Sequence, residues 1–212
     1  MRDGHNEKRF IFNGNHPCLD FINTLIAQNG NPVDLLESFS DLVLWLEQTH
    51  LLDDEEAKKA ERNWGNKPEG VRILSEAREF RASLREMVEK IAAGKSVPPA
   101  AIQNINKMLR YRVGYRQVTG SAGTFAQQFQ AESQEADLLL GVLAESASDL
   151  LCTCDLSLIK QCQNPACILF FYDTTKNHGR HWCSMSACGN RIKVAAHYRR
   201  HRPAGKRRRE HS

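Results

Sequence analysis

The chain has 212 residues with 29 Lys+Arg and 25 Asp+Glu, a formal net charge of +4, and is long enough to bury a proper core as one domain or as one domain with a small appendage. Its longest apolar run, "LLLGVLA", is far too short to span a bilayer, and "MRDGHNEKRFIF" places charges where a secretory signal needs an apolar run, so the expectation is a cytoplasmic protein with no membrane segment. The net charge conceals a polarity, because residues 162–212 hold 11 Lys+Arg against 2 Asp+Glu (+9) and residues 1–161 hold 18 against 23 (−5); a basic end on an acidic body points to a polyanion, nucleic acid rather than membrane.

Residues 1–150 read mostly as helix. After a short apolar segment at residues 10–12, "PCLDFINTLIA" sets Leu19, Ile22, Leu25 and Ile26 at helical spacing, with Asn29 and Gly30 as the stop. A second helix fits "SDLVLWLEQTHLL", with Ser40 as a cap and Leu42, Trp45 and Leu46 on one face. "DDEEAKKAERNW" predicts a short polar helix. From Pro68 onward Val71, Leu74, Ala77, Phe80, Leu84, Val88 and Ile91 keep a helical period until Gly94. A further helix after Pro99 carries Ile102, Ile105 and Leu109.

The period then changes. Tyr111, Val113 and Tyr115 alternate with Arg110, Arg112 and Arg116, and Gly120 to Gly123 turn the chain into a return strand. The alternation predicts a half-buried hairpin with Tyr inside and Arg outside, in preference to a nucleic-acid surface. "SQEADLLLGVLAESASDLL" makes a last apolar helix. No long linker separates this body from the cysteine-rich end.

That end reads "CQNPACILFFYDTTKNHGRHWCSMSACGNRIKVAAHYRRHR". Cys162 and Cys167 have four residues between them, as have Cys183 and Cys188, and 15 residues separate the pairs. In a reducing compartment such a pattern is better explained by metal than by disulfides, and four thiolates close a tetrahedral zinc site. For both pairs to meet, the intervening chain must go out and return. "ILFFYD" supplies one strand, "TTKNHG" the turn and "RHW" the second strand. Gly189 is expected to bend the backbone with φ > 0, and Asn190 to cap a helix whose positive end faces the cluster. A dithiol switch, an iron–sulfur cluster, or a Cys183/Cys188/His197/His201 ligand set remain as alternatives. Cys18 is read as a core residue.

These residues resemble the CGNR zinc finger, whose Cys-Gly-Asn-Arg is here Cys188-Gly189-Asn190-Arg191, preceded by Trp182-Cys183-Ser184-Met185. "HPCLDFINTL" followed by "PVDLLESFSDLVLWLEQTHLL" is similar to the start of the ABATE domain, a mainly helical module that precedes such fingers in bacterial stress-induced transcription regulators. The resemblance implies metal ligands at Cys162, Cys167, Cys183 and Cys188. One departure stands out: Asp173-Thr174-Thr175-Lys176 occupies a place where many members have Ser-Arg, and a lysine keeps the charge without the bidentate fork.

The expected architecture is therefore mainly α with a small β-hairpin. A helical domain over 1–155 leads into a treble-clef-like zinc ribbon over 156–202 that holds one structural zinc, and residues 203–212 form a basic disordered tail. Two arginines, Arg180 and Arg191, suffice to balance the anionic metal centre. The remaining cations exceed that need, so Lys176, Arg180, Arg191, Lys193, Arg199, Arg200, Arg202, Lys206, Arg207, Arg208 and Arg209 are the candidate nucleic-acid contacts. A DNA-binding transcription regulator is the first reading, and an RNA-binding or ribosome-associated protein the alternative. A homodimer and an unidentified small-molecule effector fit the helical body. An enzyme is not expected, although His16, Asp20 and Asn23 form a polar cluster on one helix.

Overall fold

The computed structural model describes residues 10–132 and 135–201, apart from the side chains of Ala196, Arg199, Arg200 and His201. About half of these residues are helical, and the strands form three separate antiparallel pairs.

Helix α1, Pro17–Ile22, starts with proline, which lacks the N–H that the first helical turn cannot use. His16 caps it, its Nδ1 accepting the Cys18 N–H at 3.2 Å. That acceptor role fixes the tautomer, so Nε2–H faces the Asp149 carboxylate at 3.2 Å. The helix is shorter than its apolar spacing suggests. Leu25–Gln28 is instead strand β1, and Asn31–Asp34 is β2 paired with it. Asn29 at φ 53° and Gly30 at φ 83° make the two-residue turn, so this pair is a hairpin signal rather than a helix stop. Arg81, almost fully buried, clamps the hairpin: its guanidinium takes both Asp34 oxygens at 2.7 and 2.5 Å and the Thr24 hydroxyl at 2.7 Å.

Helices α2, Phe39–Gln48, and α3, Asp54–Trp64, each open with a reciprocal capping box, Ser38 with Asp41 and Asp53 with Glu56. Ser38, not Ser40, is the cap. Each such cap contributes about 1 kcal/mol. Helix α4, Pro68–Ala92, buries Leu74, Ala77, Phe80, Leu84, Val88 and Ile91 as the period requires, while Val71 falls off the stripe and is exposed. Each large side chain in that stripe contributes ~1.5–3 kcal/mol by leaving water. Helix α5, Pro99–Leu109, turns Ala101, Ile105 and Met108 inward. Helix α6, Leu138–Thr153, packs on α1, α4 and α5 and closes the core.

Between α5 and α6 the strands β3, Gly114–Ser121, and β4, Thr124–Ala131, form the expected hairpin. Its burial is not as expected. Tyr115 is 55 % exposed, Val118 66 % and Phe125 68 %. The alternation correctly marks two faces, but among the described residues no layer covers either of them.

The last part of the chain pairs β5, Ile159–Gln161, with β6, Phe170–Tyr172. The partner of β6 is thus the segment before the first cysteine pair, and residues 180–182 are not a strand. Ile159 and Phe170 belong to the core of the helical body. A wide helical turn, Met185–Gly189, then runs into helix α7, Asn190–His201.

Candidate metal centre

The four cysteines of the two pairs converge. Their sulfurs all lie within 4.8 Å of one another, with Cys167 to Cys183 and Cys183 to Cys188 both at 3.7 Å. A tetrahedron with Zn–S bonds of ~2.3 Å requires sulfurs about 3.8 Å apart. Donor set and spacing therefore fit one structural zinc. Cys162, Cys183 and Cys188 are buried and Cys167 is half-buried, packed with Leu169, Phe171 and Trp182. His197 is exposed and is not among the converging groups, and the His201 side chain lies outside the described residues.

So many thiols cannot all ionise together without a cation. The hydrogen bond with Cys183 draws Cys167 below the ordinary thiol range against the pull of burial. The same bond, with burial, pushes Cys183 well above the usual thiol range. A divalent cation replaces those shared protons.

Each ligand is placed by a local device. Cys162 N–H donates to the Leu169 carbonyl at 2.9 Å, which brings the first knuckle back beside β6. Asn164, between the first two ligands and almost fully buried, donates from Nδ2 to Cys188 Sγ at 3.3 Å and accepts the Ala166 N–H through Oδ1 at 3.1 Å. It ties the two pairs together, a role the cysteine spacing does not reveal. Ser184 caps the wide turn, and the Gly189 N–H closes it on the Ser184 carbonyl at 3.0 Å. Gly189 does not have positive φ. A Cβ there would meet only Met185 Sδ closely, at 2.5 Å, and that side chain is exposed and free to move aside. Asn190 lies within the helical run rather than capping it from outside.

The loop 173–180 is organised by Asp173, which is fully buried. Oδ2 takes Lys160 Nζ at 2.7 Å and the Arg180 N–H at 2.9 Å, and Oδ1 takes the Thr175 N–H at 3.0 Å and its hydroxyl at 2.6 Å. This gives Thr175, the second threonine of the Asp-Thr-Thr-Lys sequence, its role. Lys176 is exposed on the same loop.

The candidate nucleic-acid contacts divide. Arg180 is committed internally: its guanidinium donates to the carbonyls of Trp182, Cys183 and Asn13 at 3.0, 2.5 and 2.8 Å and lies 4.2 Å over the Phe171 ring. Arg191 and Lys193 are exposed on α7. The side chains of Arg199 and Arg200 lie outside the described residues, as do Arg202, Lys206, Arg207, Arg208 and Arg209 entirely.

The polar trio of α1 is also occupied. Asn23 grips Phe170 through both its backbone groups at 2.8 and 2.9 Å. The Gly14 N–H donates to Asp20 Oδ1 at 2.7 Å, and Gly14 itself accepts the Tyr172 N–H at 2.8 Å. Asn15 Nδ2 reaches the Tyr172 carbonyl at 3.0 Å and Arg85 reaches the Ile168 carbonyl at 2.6 Å. The segment before α1 therefore lines the free edge of β6 and joins the cysteine region to the body.

No curated protein matches the chain. Residues 15–153 match the ABATE family, described as "Putative stress-induced transcription regulator", and residues 159–201 match the CGNR zinc finger. The sulfur tetrahedron, the helix that leaves it and a match over more than half the chain lead to one conclusion: the chain belongs to the ABATE family and carries a CGNR zinc finger holding one structural zinc.

Proposed function

We propose that the protein is a transcription regulator that binds duplex DNA through α7. One observation carries this reading. The helix starts two residues after the fourth metal ligand and exposes Arg191, Lys193, His197 and Tyr198 along a sequence without any acidic residue. A helix held rigidly at one end and basic along its length suits a phosphate backbone. The cations at residues 202–209 add to the same charge.

Affinity for duplex DNA, measured by fluorescence anisotropy across salt concentrations, should fall with a log–log slope of about −4 to −7 for roughly five to eight neutralised phosphates. Replacing Arg191 and Lys193 by Ala should flatten that slope by about 2. Absence of binding at low salt overturns the reading.

A second reading has its own support. Lys176, His181, Trp182 and Met185 line a depression of about 550 Å³ beside the finger. A partly exposed indole flanked by cations suits a stacked single-stranded base. Tighter binding of single-stranded RNA than of DNA at matched salt, lost in Trp182→Ala, would favour that alternative.

The helical body would then sense an effector or join two copies. The engagement of His16, Asp20 and Asn23 in internal hydrogen bonds supports a non-catalytic role. Four thiolates committed to a metal suit a reducing compartment such as the cytoplasm.

A further inference from the structure

The acidic body contains a second basic region that its net charge hides. Residues 92–131 include Lys95, Lys107, Arg110, Arg112 and Arg116 and not one Asp or Glu. In 1–161 the 18 cations and 23 acids leave 13 and 23 outside this segment, so +5 stands beside −10. Structurally the segment is α5 followed by the β3–β4 ribbon. On α5, Gln103, Asn106, Lys107 and Arg110 recur at helical spacing on one exposed face and line one shallow depression.

The ribbon continues from that face. Among the described residues its strands pack chiefly on each other. An isolated two-stranded hairpin is marginal in water, so what fixes this one matters. Arg112 does so at its base: the guanidinium lies 3.8 Å over the Phe129 ring and donates to Glu145 of α6 at 2.8 Å. The register places Val118 opposite Gln127 and Gly120 opposite Phe125, so Val118 and Phe125 are diagonal neighbours on one face near the tip. Both are more than three-fifths exposed, and Arg116 stands on the same face.

We propose that α5 and the β3–β4 ribbon form a second contact for duplex DNA, with Lys107, Arg110 and Arg116 on phosphates and the Val118/Phe125 tip in a groove. A two-stranded ribbon fits a DNA groove, and apolar side chains at such a tip can wedge against base steps. Charge selects this occupant over a ribbon-to-ribbon pairing of two copies. Two ribbons meeting each other would bring two like-charged, acid-free segments together, whereas a polyanion complements each of them. The inference rests on the proposed function only for the class of partner, since it uses none of the residues of α7.

The test uses the full zinc-loaded chain on duplex DNA. Lys107→Gln/Arg110→Gln/Arg116→Gln changes exposed side chains only. Each phosphate contact costs about 3.5-fold in affinity between 50 and 200 mM salt. With three contacts removed, the salt-induced loss should shrink about 40-fold. Phe125→Ser should leave the slope unchanged and weaken binding on the order of tenfold. Unaltered affinity and slope in the triple variant would overturn the inference. So would sedimentation showing that Phe125→Ser only splits a dimer while DNA affinity stays the same. Arg191→Ala/Lys193→Ala, measured in parallel, separates the two readings. If it alone weakens binding, the ribbon contact falls and α7 stands; if the triple variant alone does, the ribbon stands and α7 falls.

Discussion

Asn23 holds Phe170 by both halves of its amide, Nδ2 donating to the Phe170 carbonyl at 2.8 Å and Oδ1 accepting the Phe170 N–H at 2.9 Å, across 147 positions of sequence. Both residues are fully buried. One side chain thus completes the hydrogen bonding of a strand residue whose ring lies in the core of the body.

Removing that clamp should be costly. Asn23→Ala leaves the Phe170 N–H and C=O buried without partners, and we expect a loss of about 2–4 kcal/mol in denaturant unfolding of the zinc-loaded protein. Zinc release to a chelator should also accelerate, because β6 positions Cys162 through the Leu169 carbonyl. An effect below about 0.5 kcal/mol would mean that the clamp is dispensable.

Purified protein should hold one zinc per chain by elemental analysis. Cys188→Ser should lose most of it, and Cys152→Ser, which alters an exposed thiol outside the cluster, should lose none. Equal metal content in the two variants would contradict the ligand set.

Chelation should divide the cysteine region. Hydrogen exchange of the metal-free protein should show the amides of Phe170 and Tyr172 still protected, because Asn23 and the Gly14 carbonyl hold them. The wide turn Met185–Gly189, whose organisation depends on the metal, should lose protection. Release of everything from residue 160 onward would show that zinc, not the body, supports β6.

Asp20 makes stability depend on pH. Burial raises it to about 6, outweighing the Gly14 N–H and the Arg180 charge, against an ordinary value near 4. Between those two values the folded state binds more protons than the unfolded state, so this contribution falls as pH rises from about 4 to 6 and is constant above. Asp20→Asn keeps an oxygen acceptor for Gly14 and removes the titration. The variant should gain up to about 3 kcal/mol relative to the parent chain at pH 8, and this advantage should vanish at pH 4. His16, which burial holds below its ordinary value, acts in the opposite sense in both proteins and cancels in the difference. A difference that stays constant from pH 4 to 8 would show that Asp20 remains ionised.

The metal ligands were legible because metal chemistry dictates both residue type and spacing, and α4 because its stripe is long enough to show only one period. Leu25 and Ile26 fitted a helix equally well, and the Asn29 and Gly30 turn decided otherwise. Tyr115 and Val118 show the limit of alternation: it separates two faces but does not say whether anything lies on either. Asn164 and Asn23 were out of reach, since an asparagine's meaning comes from the groups brought opposite it, Cys188 and Phe170, and local pattern contains neither.

Phe170 sits in the body's core while the adjacent Leu169 carbonyl holds the first metal ligand, so no hinge separates the two parts. A zinc finger on a flexible tether can serve sites at many separations, because the tether absorbs the difference. A finger built into the body's own wall cannot. If α7 docks on a duplex as proposed, the same docking also sets the bearing of α4, so two copies side by side would meet at a single rotational phase of the helix.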